Sequence, residues 1–162
     1  MILFVVLACL VCDQGTKIIA RQRLPKHTVL SYGQDIFRWQ YAENPGAFLS
    51  LGANISQKAR YWIFVLWVGG CLSGLLIYLI LAKGLPRLQT LALSLVLGGG
   101  WGNLVDRIGN EGRVIDFMNV GIGPLRTGVF NVADMVISCG VVIFLLLSIR
   151  GECKQQSRPT KS

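Results

Sequence analysis

Long uncharged runs separated by short charged stretches organise this chain. The clearest run, Tyr61 to Ala82, carries no charged side chain. At about 1.5 Å rise per residue, a helix over it crosses the roughly 30 Å hydrocarbon core of a bilayer. Leu88 to Val105 is also uncharged and contains Gly98-Gly99-Gly100, and from Gly128 to Ile149 only Asp134 is charged. The N-terminal run from Met1 to Cys12 is short by itself but continues through Asp13-Gln14-Gly15-Thr16-Lys17 to Ala20. The pattern predicts four membrane-spanning helices near 1–20, 61–82, 88–105 and 128–149, in a single domain covering 1–162. A long loop (about 21–60), a tight turn (83–87), a second loop (about 106–127) and a polar tail (151–162) complete it. The expected fold class is mainly α: a polytopic membrane protein with four transmembrane helices.

The first loop departs from simple polar filler. Thr28 to Tyr32 and Phe37 to Tyr41 mix aromatic and β-branched residues with alternating polarity, which predicts a small sheet. Such a sheet lies well at the membrane surface, with Trp39 and Tyr41 at head-group level.

Composition agrees with the membrane class: 52% of the 162 residues are apolar and 15% charged. The net charge of +8 would suggest nucleic acid in a soluble protein. Here the bases flank apolar runs, where Lys and Arg meet lipid head groups, and no recognition motif accompanies them, so nucleic acid is not an expected partner. The basic turn (Lys83, Arg87) and tail (Arg150, Lys154, Arg158, Lys161) favour the cytoplasmic side, although the first loop is basic too. Four of the five cysteines fall inside apolar runs, where Cys behaves as a small hydrophobe. His27 is the only histidine, which leaves little for a His-based metal site or a Ser-His triad. Val6-Leu7-Ala8-Cys9 has the look of a lipoprotein processing site, but no basic stretch precedes it and three further spans follow.

The chemistry gathers in the acids. Asp13 ends the first run, Asp106 closes the third, Asp116 follows in the second loop and Asp134 opens the fourth span. With helices alternating in direction, all four fall on one side of the bilayer. Ionisable groups at membrane depth are costly and mark function by default. Asp13 and Lys17, at i and i+4, read equally well as an ordinary helix pair, and Asp106 beside Arg107 reads as an ion-pair strut. Asp116 and Asp134 have apolar surroundings and no adjacent base. Two carboxylates held close in such a setting share a proton, so one can deprotonate water while the other protonates the reacting carbonyl or leaving amine. The glycines read either as a groove for substrate or as plain helix packing.

Five segments together resemble the sequence boxes of the bacterial lipoprotein signal peptidases (signal peptidase II). They are Asp13-Gln14-Gly15-Thr16-Lys17, Asn44-Pro45-Gly46-Ala47-Phe48, Gly102-Asn103-Leu104-Val105-Asp106-Arg107, Val114-Ile115-Asp116-Phe117 and Phe130-Asn131-Val132-Ala133-Asp134. They occur in the family's order from residue 13 to 134. The resemblance implies catalytic aspartates at Asp116 and Asp134 and cleavage on the amino side of a diacylglyceryl-modified cysteine, without metal or other cofactor. It implies that Asn44, Asn103, Arg107 and Asn131 hold substrate and orient the dyad, with Asp13, Lys17 and Asp106 in support. It further implies both termini in the cytoplasm, a site at the outer face of the bacterial inner membrane, and a sheet and mobile segment over it within 21–60. The partners it implies are diacylated prolipoproteins and membrane lipids; the protein itself is expected to be a monomer. Two departures stand out: little chain precedes Asp13, and Gly46-Ala47-Phe48 has one Ala fewer than many members, which should shift the loop slightly. Two other classes compete. A transporter or proton relay would spread its acids along a path through the membrane; a non-catalytic scaffold would tolerate Asn at 116 and 134.

Overall fold

In the computed structural model, residues 1–46 and 56–156 are described. Helix α1 runs Ile2–Arg23, strands β1 and β2 cover Val29–Tyr32 and Phe37–Asn44, and a short helix α2 covers Gln57–Trp62. A π-helical stretch, Ile63–Val68, joins α2 directly to α3, Gly69–Leu81. Then come α4 (Arg87–Gly109), β3 (Val114–Ile122), β4 (Leu125–Arg126) and α5 (Val132–Gln156). Among the described residues, four helical stretches are long and apolar enough to cross a membrane: Ile2–Arg23, Ile63–Leu81, Arg87–Gly109 and Val132–Arg150. The protein is a multi-pass membrane protein, mainly α, with a small antiparallel sheet.

Local chemistry sets the helix ends. α1 stops at Arg23 because Leu24 precedes Pro25; Leu24 turns extended, at φ −88° and ψ 122°. α5 starts at Val132 behind a reciprocal pair of hydrogen bonds between Asn131 and Asp134. That start lies later than the expected 128, because Phe130 is instead stitched to β3 by a bridge to Met118. α4 continues past the expected end at 105 to Gly109, so Asp106 and Arg107 are helical rather than part of a loop.

The sheet has the order β1-β2-β3-β4. β1 and β2 occupy the segments expected from the first loop, with Leu30 opposite Trp39 and Tyr32 opposite Phe37. The expectation of a plain second loop over 106–127 is corrected: Val114–Ile122 is a strand between β2 and β4. The apolar and β-branched run around Asp116 finds both its partners elsewhere in the chain. A bulge between Trp39 and Ala42 shifts the register, so that Ala42 faces Asp116 and Asn44 faces Val114.

α4 lies at the centre of the bundle, in contact with α1, α3 and α5. Leu72, Leu79, Leu97 and Leu104 form a buried apolar cluster between α3 and α4. Close approach depends on missing side chains: a Cβ on Gly99 would stand 2.6 Å from the Ala133 carbonyl oxygen of α5. Ala20, Leu24 and Phe117 make a second cluster that seats the sheet on the end of α1. Leu3, Phe4, Trp67 and Ile80 point outward, as a surface bathed in lipid requires.

Candidate active site

The foundation of the site is a buried cation. The Lys17 side chain is 1% exposed, and its three ammonium protons have three acceptors. Nζ lies 2.7 Å from Asp13 Oδ2, 3.0 Å from Asp106 Oδ2 and 3.0 Å from Asn103 Oδ1. Both carboxylates are tied further. Asp13 Oδ1 accepts from the Ala133 backbone N–H at the head of α5, over 2.9 Å. Asp106 Oδ2 accepts from the Ile115 N–H at the start of β3, over 3.0 Å. Gln14 Nε2 donates to Asp106 Oδ1 and to the Gly102 carbonyl, at 2.9 and 3.1 Å. A Cβ on Gly102 would collide with Asp13 Oδ2 at 2.5 Å, so this approach too demands glycine. The group joins α1, α4, α5 and β3 at one point. Isolated burial of such charges costs several kcal/mol each; complete pairing is what makes it tolerable.

The expected strut between Asp106 and Arg107 is not what forms. Successive helical residues project about 100° apart, and Asp106 turns inward to Lys17 while Arg107 turns toward the Asn44-Pro45-Gly46 segment. Arg107 Nη1 donates to the Asn103 carbonyl at 3.2 Å and Nη2 to the Gly46 carbonyl at 3.3 Å.

Three asparagines carry order from this foundation to the other two aspartates. Because Lys17 can only donate, it fixes Asn103 with Oδ1 toward the ammonium, which turns Asn103 Nδ2 onto Asp134 Oδ1 at 2.9 Å. Asn131, fully buried, uses its whole amide. Its Oδ1 accepts from the Asp134 N–H at 3.0 Å, and its Nδ2 donates to Asn103 Oδ1 at 3.1 Å and to Asp116 Oδ1 at 2.6 Å. The Asn131 backbone N–H donates to Asp134 Oδ2 at 3.1 Å. Asn44 Oδ1 accepts from the Gly46 N–H at 3.0 Å, an Asx turn that aims Nδ2 at Asp116 Oδ2, 3.1 Å away.

Every oxygen of Asp116 and Asp134 thus accepts a hydrogen bond, and Asn131 touches both side chains. Asp116 is 2% exposed. Burial, and after it the charge of Asp134, pushes its carboxyl up from 3.8 to about 6, against the hydrogen bonds of Asn44 and Asn131. A carboxyl that holds its proton to about pH 6, coupled to a second carboxylate, is equipped for paired acid and base work.

All the residues singled out from the sequence, Asp13, Lys17, Asn44, Asn103, Asp106, Arg107, Asp116, Asn131 and Asp134, enter one connected network. Their gathering at one place speaks against a relay strung across the membrane. Ala47 and Phe48, with the rest of 47–55 in the segment expected to cover the site, lie outside the described residues. Gln14 had no expected role, although its position between α1 and α4 is as central as that of Lys17. Only its place inside a box next to Asp13 offered a signal.

The profile of the family described as signal peptidase (SPase) II matches residues 5–150. A lipoprotein signal peptidase of Syntrophus aciditrophicus is 37% identical, with 97% of this chain and 98% of that protein covered. Another, of Geobacter metallireducens, is 34% identical over 90% of this chain and 88% of its own. A solved bacterial membrane enzyme shares the fold with a TM-score of 0.83 at 21% identity, covering 99% of this chain and 94% of that one.

Proposed function

Because the chain belongs to the signal peptidase II family, we propose that it is an intramembrane aspartyl endopeptidase that removes signal peptides from diacylglyceryl-modified prolipoproteins. Cleavage falls on the amino side of the lipidated cysteine. The observation that carries the aspartyl reading is the Asp116–Asn131–Asp134 linkage: two carboxyl groups held by one buried asparagine, Asp116 through its side-chain amide and Asp134 through its backbone N–H, with Asp116 retaining its proton to about pH 6.

In the reaction, water stands between the two carboxyl groups. Asp134 takes a proton from it as the oxygen attacks the scissile carbonyl carbon, and Asp116 gives its proton to the carbonyl oxygen. The tetrahedral diol collapses when Asp134 passes its acquired proton to the leaving nitrogen and Asp116 recovers one from a diol hydroxyl. The C–N bond breaks and the dyad returns to its starting state. No metal or other cofactor takes part.

Asn44, Asn103 and Asn131 orient the dyad, and Arg107 holds a substrate carbonyl. Asp13, Lys17 and Asp106 act beneath them as support. The whole chain works as one membrane-embedded domain, a monomer among membrane lipids, with both termini in the cytoplasm and the site at the outer face of the inner membrane. The basic turn at Lys83 and Arg87 supports that orientation.

Incubation of the purified protein with a diacylated precursor peptide tests this reading. Wild type releases the signal peptide and Asp116→Asn, although folded, does not; a folded Asp116→Asn variant with near-normal turnover overturns the aspartyl assignment.

A further inference from the structure

Arg107 is held less firmly than its surroundings. Its two hydrogen bonds, to the Asn103 and Gly46 carbonyls, measure 3.2 and 3.3 Å, at the long end of the N–H···O range. Among the described residues it makes no salt bridge, and its Nε finds no acceptor. It also meets an aromatic face: Cζ sits over the Phe64 ring, 5.4 Å from its centre.

Phe64 reaches that position from the second span, and the backbone there is unusual. Ile63–Val68 is π-helical, a form that occurs mostly as single wide turns inside α-helices and often near functional sites. Within this turn Ile63, Leu66 and Trp67 point outward, while Phe64 is half-buried toward α4. Just before it, Tyr61 abuts the turn after α4: a Cβ on Gly112, whose φ is +84°, would lie 3.3 Å from Tyr61 Cδ2. The start of the span is therefore pinned at Gly112, and the wide turn that follows directs one ring under the guanidinium.

We propose that Phe64 is a positioning residue: its ring face holds the Arg107 guanidinium in the plane from which it engages a substrate carbonyl. The inference rests on the role given above to Arg107, and adds a residue outside the five sequence boxes. A ring suits this duty where a carboxylate would not. It holds the cation without neutralising it, and it leaves the guanidinium N–H groups free to donate.

Two measurements on the purified full-length protein test it. With a diacylated precursor peptide, Phe64→Leu and Phe64→Met should raise KM about fivefold, the factor a modest cation–π contact carries, with kcat within about twofold of wild type. Phe64→Tyr, which keeps the ring, should restore KM. Separately, the Arg107 side-chain N–H resonance, assigned through Arg107→Lys, should be shifted upfield by the ring in wild type and Phe64→Tyr. It should move downfield in Phe64→Leu and Phe64→Met. An unchanged KM in the Leu and Met variants, a Tyr variant as impaired as Leu, or an unmoved resonance overturns the proposal. If wild type itself fails to cleave, the peptidase reading falls, and the resonance still decides whether Phe64 orients Arg107.

Discussion

Asn131 and Asp134 hold one another at the head of α5: each backbone N–H donates to the other's side-chain oxygen, at 3.1 and 3.0 Å. The same asparagine donates from Nδ2 to Asp116. Start of helix and spacing of carboxyl groups are therefore one device. Asn131→Ala should lose about 1 kcal/mol of cap stability and reduce cleavage on the order of a hundredfold through misplacement of the pair. Asn131→Ser keeps a capping oxygen but no Nδ2. It should regain the stability in a thermal melt and leave the activity low; recovery of both would show that the link to Asp116 is dispensable.

Removing the cation should be worse than removing one of its acids. Asp13→Asn leaves Lys17 paired with Asp106, whereas Lys17→Met leaves two buried carboxylates facing each other. The expected cost of Lys17→Met is about 3–5 kcal/mol, seen as loss of folded protein in detergent, and Asp13→Asn should cost clearly less. Equal losses would mean that Asp106 does not share the charge.

The raised carboxyl of Asp116 makes stability depend on pH in a stated direction. A group that binds its proton more tightly when folded destabilises the native state as pH rises from its ordinary 3.8 through about 6. Asp116→Asn does not titrate there. Its stability relative to wild type should climb by roughly 2 kcal/mol between pH 4 and pH 8, measured by chemical unfolding in micelles. Over the same range, wild-type kcat/KM should decline above pH about 6 as Asp116 loses the proton it donates.

Orientation is open to direct measurement. On a background without native cysteines, Lys83→Cys should be shielded from a membrane-impermeant thiol reagent added outside intact cells, and Leu125→Cys should react. These sites serve better than Gly84 and Gly112, whose φ of +79° and +84° disfavours any side chain. The opposite pattern would put the site at the cytoplasmic face.

The helices were legible because a lipid environment writes its demand into every residue of a span: charge is excluded for the length of a helix. The acids stood out for the same reason. The pairing of Asp13 with Lys17 on one helix was legible too; what the chain did not disclose is which partners Asp106 and Asp116 take. Asp106 lies next to Arg107 in sequence, yet the helix turns them apart, and Lys17 of another helix collects it. Asp116 looked like a loop residue because a strand's partners lie far away in sequence; β2 and Phe130 supply them only after folding. The roles of Gln14 and Phe64 likewise depend on where helices cross. Boxes marked the site well, and contacts between boxes were invisible.

The stitch at Phe130 has a consequence for how the chain tolerates change. Its N–H donates to the Met118 carbonyl at 2.8 Å, and its own carbonyl accepts from Met118 and Phe117 at 2.9 and 3.1 Å. Beyond that clasp the hairpin of β3 and β4 stays paired to β2 and tied through Arg126 to Asp35, and it ends in a turn at Gly123-Pro124. Lengthening or trimming that turn reshapes the outer rim while the calipers that hold Asp116 and Asp134 keep their setting, so the rim is where such a chain can diversify without recalibrating its chemistry.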